Sequence, residues 1–182
     1  SEFGGSGPGL LPLFQSIPTA TVYQNFSGSY LTYGLYGDGM RNSKKDYGVM
    51  AKTFKLSGGG TFFASAPGND KANSKNRPYS KIRLLYNSSN SPLKATLTNK
   101  SQQIQLSKEN DARGLQMIQW QLDSAVSNFT IQMSGSANIY GIMIDGGAGV
   151  AVDNIPMRGA SGTFFTQMND TILKETFKRI DV

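Results

Sequence analysis

Residues 138–162 read NIYGIMIDGGAGVAVDNIPMRGASG, and no other stretch limits the fold of this chain as tightly. An apolar run over 139–144 stops at Gly146 and Gly147. A second run covers 150–152, and a glycine-bearing loop follows at 157–162. Upstream, apolar and polar residues alternate at the period of two that a half-buried strand requires. Downstream, the spacing becomes that of an amphipathic helix. The stretch therefore reads as a seam, where a β-domain hands over to a fragment with α/β character.

The upstream strands are short and closely spaced. Residues 21–24 and 29–36 are candidates, the second with Leu31, Tyr33 and Leu35 on one face and Tyr30, Thr32 and Tyr36 on the other. Residues 49–56 and 60–65 come next, with Ser57, Gly58 and Gly59 between them as a tight-turn signal. A polar loop over 66–78 follows. Beyond it the alternation is clearest: Ile82, Leu84 and Tyr86; Leu93, Ala95 and Leu97; Ile104 and Leu106; Ile118, Trp120 and Leu122; Phe129, Ile131 and Met133. Trp120 falls on an apolar face and is expected in the core. About ten short strands with Asn-, Ser- and Gly-rich turns predict an antiparallel sandwich, most simply a jelly roll.

After the seam, residues 149–152 have the composition of a strand buried on both faces. Residues 168–180 have helical spacing, with Met168, Ile172, Leu173, Phe177 and Ile180 on one side. At the other end, Gly4 to Gly9 cannot hold a regular element. Leu10, Leu11, Leu13 and Phe14 need burial, so residues 1–18 are expected to be docked rather than free.

The chain has no histidine and no cysteine. A Ser-His-Asp triad cannot be built from it, nor a thiol nucleophile or a histidine or thiolate metal site. Charged residues are only 16% of the chain, a profile that suits extracytoplasmic β-proteins. No apolar run is long enough to span a membrane, and no leader peptide is visible. Net charge is +6 and uneven: ten of the 18 Lys and Arg residues fall between Asp38 and Arg83, against Asp38, Asp46 and Asp70. Such a face attracts polyanions. No nucleic-acid motif accompanies it, so the plainer reading is a solvated, lysine-protected sheet edge.

GVAVDNIPMRGASG followed by FFTQMNDTILKETFKRIDV resembles the second conserved block of SGNH-type (GDSL-like) esterases. The subgroup is the one seen in Bacteroidetes and in peptidoglycan O-acetylesterases, where a jelly roll like a carbohydrate-binding module is inserted into the esterase fold. FGGSGPGLLPL resembles the link leaving the nucleophile helix of such proteins. The resemblance implies that residues 1–18 are a linker from the esterase core and 19–147 the jelly roll. Residues 148–182 would be an SGNH-type strand-loop-helix fragment. It implies a periplasmic or extracellular protein whose partners are acetylated glycan or peptidoglycan and the remainder of the esterase domain. Gly159 matches the block-two glycine whose backbone N–H helps form the oxyanion hole. The alternative for Gly159 is a plain tight turn. The blocks carrying Ser, Asn, Asp and His are not in this sequence, and Ser161 lacks a nucleophile context.

Tyr30, Tyr36, Tyr47 and Tyr79, with Arg158, are the candidate substrate-binding residues, since exposed aromatics stack on sugar faces. Tyrosines are also ordinary core and rim residues. No cofactor is implied. Calcium is left open, with Asp38, Asp46, Asp70 and Asp111 as candidate ligands and no D-x-D-x-D-G loop among them. The rival function is a structural or adhesive bacterial surface sandwich without a sugar ligand.

Overall fold

The computed structural model describes residues 8–13, 22–36, 40–66, 79–88, 92–101, 104–110, 114–146 and 162–180. The strands are β1 (Gly9–Leu11), β2 (Tyr23–Gly34), β3 (Lys52–Ser65), β4 (Tyr79–Asn87), β5 (Leu93–Asn99), β6 (Ile104–Asn110), β7 (Leu115–Val126), β8 (Asn128–Ser134) and β9 (Ala137–Asp145). A short 3-10 helix (Thr163–Gln167) and the α-helix α1 (Asp170–Arg179) follow. Hydrogen bonding runs in the order β6-β5-β8-β3-β9-β4-β7, with β1 added to β9 and β2 to β3. All of these ladders are antiparallel. The product is an antiparallel β-sandwich with a small helix, as the alternation predicts.

The two layers share β2 and β3. The half of β3 after Gly59 pairs with β8, and the half before Leu56 pairs with β9. Two pairs of short strands expected from sequence are thus each one long bent strand. The SGG signal at residues 57–59 is the corner itself and not a tight turn. Gly58 and Gly59 take φ of 86° and 151°, and the register with β2 slips between Gly28 and Tyr30. A Cβ on Gly28 would lie 2.7 Å from Gly60 Cα, so the strands can cross the corner only as glycine on glycine.

The main core lies between the layers and includes Phe54, Phe62, Ile82, Leu84, Tyr86, Leu97, Phe129 and Ile131. Trp120 is fully buried there, as expected, and its Nε1 donates to the Leu106 carbonyl at 3.1 Å. That bond ties β7 to β6 and draws together the two ends of the strand order.

β9 is buried on both faces. Ile139, Ile142 and Ile144 enter the main core. Tyr140 and Met143 point the other way, into two smaller clusters. The change from odd to even inward positions occurs at a bulge: Tyr86 faces Ile139 and Leu85 faces Gly141, leaving Tyr140 as the extra residue. A strand covered on both sides needs no polar alternation, which is why residues 139–144 read as a continuous apolar run.

What covers the outer face is α1, the 3-10 helix and residues 40–51. Phe164, Met168 and Leu173 pack with Leu10, Leu35, Tyr47, Val49 and Met143. Asn169 caps α1, its side-chain oxygen accepting from the Thr171 and Ile172 N–H groups at 2.9 and 3.2 Å. Lys178 and Arg179 oppose the dipole at the C-terminal end. The helix is where spacing predicted it, with one change: Thr176 is buried, while Phe177 is 42% exposed. Leu10, Leu11 and Leu13 are buried, as their composition requires. The second expected strand, residues 149–152, lies outside the described residues.

Candidate functional site

The outer face of the shared sheet carries a row of aligned residues at one end. Lys55 of β3 is opposite Asn138 of β9, and Asn138 is opposite Asn87 of β4. One turn of the pleat along, Thr53 and Tyr140 sit on the same face and are buried under residues 40–51.

That segment is fixed by its own hydrogen bonds. Gly34 N donates to the Met40 carbonyl at 3.0 Å and Met40 N to the Thr32 carbonyl at 3.1 Å. Tyr47 is 2% exposed, and its hydroxyl accepts from the Asn42 N–H at 2.6 Å. Thr53 Oγ1 donates to the Asp46 carbonyl at 2.7 Å. Gly48 lies so close to β9 that a Cβ there would be 2.8 Å from the Tyr140 carbonyl oxygen. Asn169 N donates to the Lys45 carbonyl, joining the helix cap to the same segment.

Where the segment overhangs the row, a polar cleft of about 730 Å³ opens. Asp46 lines it. Asn138 Nδ2 donates to Asp46 Oδ2 at 2.6 Å, and the Tyr140 hydroxyl donates to Oδ1 at 2.5 Å. Burial holds the Tyr140 phenol well above its usual pKa, and the Asp46 charge and hydrogen bond push the same way. The amides of Asn87 and Asn138 act in the opposite direction and are outweighed. The phenol is therefore a fixed donor. Arg41, Lys44 and Lys55 bring three cations to the same walls. Arg41 Nη1 donates to the Gly34 carbonyl at 2.7 Å, and its guanidinium lies 5.9 Å from the centre of the Tyr36 ring.

The candidate residues from sequence are scattered. Tyr79 is fully buried and stacks edge-on with Phe129 at 6.0 Å. Tyr47 is a pillar of the overhanging segment. Neither ring presents a face to solvent, so sugar stacking by these two is withdrawn. Tyr30 is partly buried and packs edge-on against Phe26 at 5.1 Å. The face of β2 that carries Tyr30 is thus turned to the core, and Leu31 on the opposite face is 46% exposed. Tyr36 is 41% exposed, at the edge of the cleft through its contact with Arg41. Arg158 and Gly159 lie outside the described residues, as do Asp38, Asp70 and Asp111. Among the described residues, no three His, Cys, Asp or Glu side chains come together that could hold a metal ion. No helix among them is long and apolar enough to cross a membrane.

Residue chemistry and topology together define an antiparallel β-sandwich with one sheet covered on both sides and a polar, mainly cationic cleft at the border of that cover. No protein-family model and no curated protein matches the chain. Among solved structures it is similar to a peptidoglycan O-acetylesterase, with TM-score 0.64 and 17% identity over 93% of this chain and 43% of that one. At that identity the likeness is one of fold, and this chain spans less than half the length of the esterase. A second similarity, to CpGH89CBM32-6 produced by Clostridium perfringens, has TM-score 0.40 and 12% identity over 69% of this chain and 94% of that one, and carries no argument.

Proposed function

We propose that this chain is a non-catalytic, glycan-positioning module of an SGNH-type carbohydrate or peptidoglycan O-acetylesterase that works in the periplasm or outside the cell. The observation that supports the reading is the shared fold with a peptidoglycan O-acetylesterase across 93% of this chain. The likeness takes in nearly the whole chain, as an insert with flanking elements would require. In this reading residues 1–18 link to the esterase core, 19–147 form the module, and 148–182 return to the esterase. The triad comes from elsewhere in the protein, since this sequence has no histidine. Gly159 then contributes a backbone N–H to the oxyanion hole of the whole enzyme.

The test has two arms. The chain is incubated with an acetyl-ester substrate, and separately co-sedimented with insoluble O-acetylated peptidoglycan. Retention on the glycan without turnover is the expected result. Genuine hydrolysis by this chain, or no retention, overturns the proposal.

A further inference from the structure

We propose that the cleft between residues 40–46 and the β3-β9-β4 row is a saccharide subsite selective for a sugar carrying a carboxylate. The inference deepens the glycan-module reading and rests on it.

Size comes first. Lys55, Asn138 and Asn87 lie across three adjacent strands, so their Cα atoms span about 10 Å at ordinary antiparallel spacing. That is the reach of one or two pyranose rings, and the cleft volume of about 730 Å³ holds them. Composition comes second. Amides supply donors and acceptors together, which sugar hydroxyls need. Asn42, Asn87 and Asn138 all border the cleft.

Charge decides the class of sugar. Arg41, Lys44 and Lys55 face a single carboxylate, Asp46, among the lining residues. Arg41 is anchored at Gly34 through one nitrogen, so part of the entropy of ordering it is already spent, and a guanidinium pairs with a carboxylate through two parallel bonds. Asp46 argues against a phosphate chain. Its two oxygens are held by Asn138 and Tyr140, so it cannot swing away from a multiply charged ligand. A carboxylate retains further lone pairs after accepting two bonds, and a sugar hydroxyl can donate to them. Cations for one acidic group, with a fixed acceptor for a neighbouring hydroxyl, fit an acidic sugar better than a polyphosphate.

The probe pair is N-acetylmuramic acid and N-acetylglucosamine, which share the N-acetylated ring and differ in the carboxylate-bearing ether. Inorganic phosphate and a short single-stranded oligonucleotide complete the set. Titrations followed by amide NMR shifts should place the acidic sugar at residues 41–46, 55, 87 and 138. Loss of one charge-assisted contact costs on the order of 10-fold in Kd, and that is the drop expected for Arg41→Gln and for Lys55→Met. Both side chains are surface-exposed, and an unchanged thermal midpoint certifies the variants as folded. Equal binding of the two sugars, or wild-type affinity in both variants, overturns the subsite. Phosphate binding as tightly as the acidic sugar reduces it to a simple anion hole. Tighter binding of the oligonucleotide makes the face a polyanion site. If the variants still sediment fully with insoluble peptidoglycan, the module reading stands and only the cleft falls. If the wild-type chain does not sediment at all, the module reading falls on its own.

Discussion

The Tyr140 hydroxyl donates to Asp46 Oδ1 at 2.5 Å across 94 residues of sequence. It joins the bulge in β9 to the segment that overhangs the cleft. Removing it by Tyr140→Phe leaves a partly buried carboxylate short of a donor, a loss of about 1–3 kcal/mol. Urea unfolding of Tyr140→Phe, Asp46→Ala and the double variant should show the double costing less than the sum, because both singles break the same bond.

The corner shared by β2 and β3 should sort its glycines by cost. Gly58 has φ of 86° with open space around it, so Gly58→Ala meets backbone strain alone, about 1 kcal/mol. Gly28 has φ of 146° and would press its Cβ on Gly60 Cα at 2.7 Å and on Gly59 O at 2.8 Å. Both obstacles are backbone, so Gly28→Ala should cost at least about 3 kcal/mol. Equal unfolding midpoints for the two variants would contradict the corner geometry.

Trp120 is the one tryptophan in the chain and is a direct reporter on the core. Native emission should be blue-shifted and move to the red on unfolding. Trp120→Phe removes the bond to the Leu106 carbonyl together with some packing, a loss of roughly 2–4 kcal/mol. Amide exchange should accelerate first in β6, which loses its tie to β7.

Titration should act at both ends of the pH scale. Tyr140 holds its proton more tightly in the folded state than an ordinary tyrosine, whose pKa is 10.0. Its contribution to stability is complete below pH 10 and is lost as pH rises beyond that, when the unfolded chain ionises first. Tyr140→Phe should flatten that alkaline decline, leaving the smaller part due to buried Tyr86. Glu175 shows the opposite sign. Hydrogen bonds from Arg179 and then Lys178 lower its carboxyl to about 2 from 4.5. Its contribution is present above pH 4.5 and disappears as pH falls toward 2, and carbon-detected NMR of the carboxyl should follow it.

Gly159 lies outside the described residues, so its test is functional. On the esterase reading proposed above, Gly159→Ala in the whole protein should lower turnover roughly 10- to 1000-fold, as loss of one oxyanion donor does. Glycan retention should not change. Unaltered turnover would leave Gly159 a turn residue.

Sequence periodicity carried the sandwich, Trp120 and α1 because each rests on a local rule that tertiary structure did not override. It split β2 and β3 because a glycine corner inside a strand has the same letters as a turn between strands. The inward face of β2 was not legible because both faces carry tyrosine: Tyr30 stays on the same inward side as Phe26 across the slip after Gly28, while Leu31 is left outside. The cleft was not legible, since Asp46, Asn87 and Asn138 meet only through strand order. One signal was available. Tyr140 stands in an apolar run, and a buried tyrosine hydroxyl wants a partner. That partner could have been sought among the nearby acids.

β1 and β9 are antiparallel neighbours, with Gly9 opposite Ile144. The two strands on which the backbone enters and leaves the sandwich are therefore neighbours, with Cα atoms about 5 Å apart. A host loop could accept the whole β-domain with little more rearrangement than a single hairpin demands, and its loop-closure entropy would hardly register the length enclosed, which grows only logarithmically. The β-domain is in that sense a cassette. Grafted at the same two positions into an unrelated loop, it should keep the core between its layers, but it leaves α1 and the 3-10 helix behind, so Leu10, Tyr47, Val49 and Met143 lose their cover and its stability should fall.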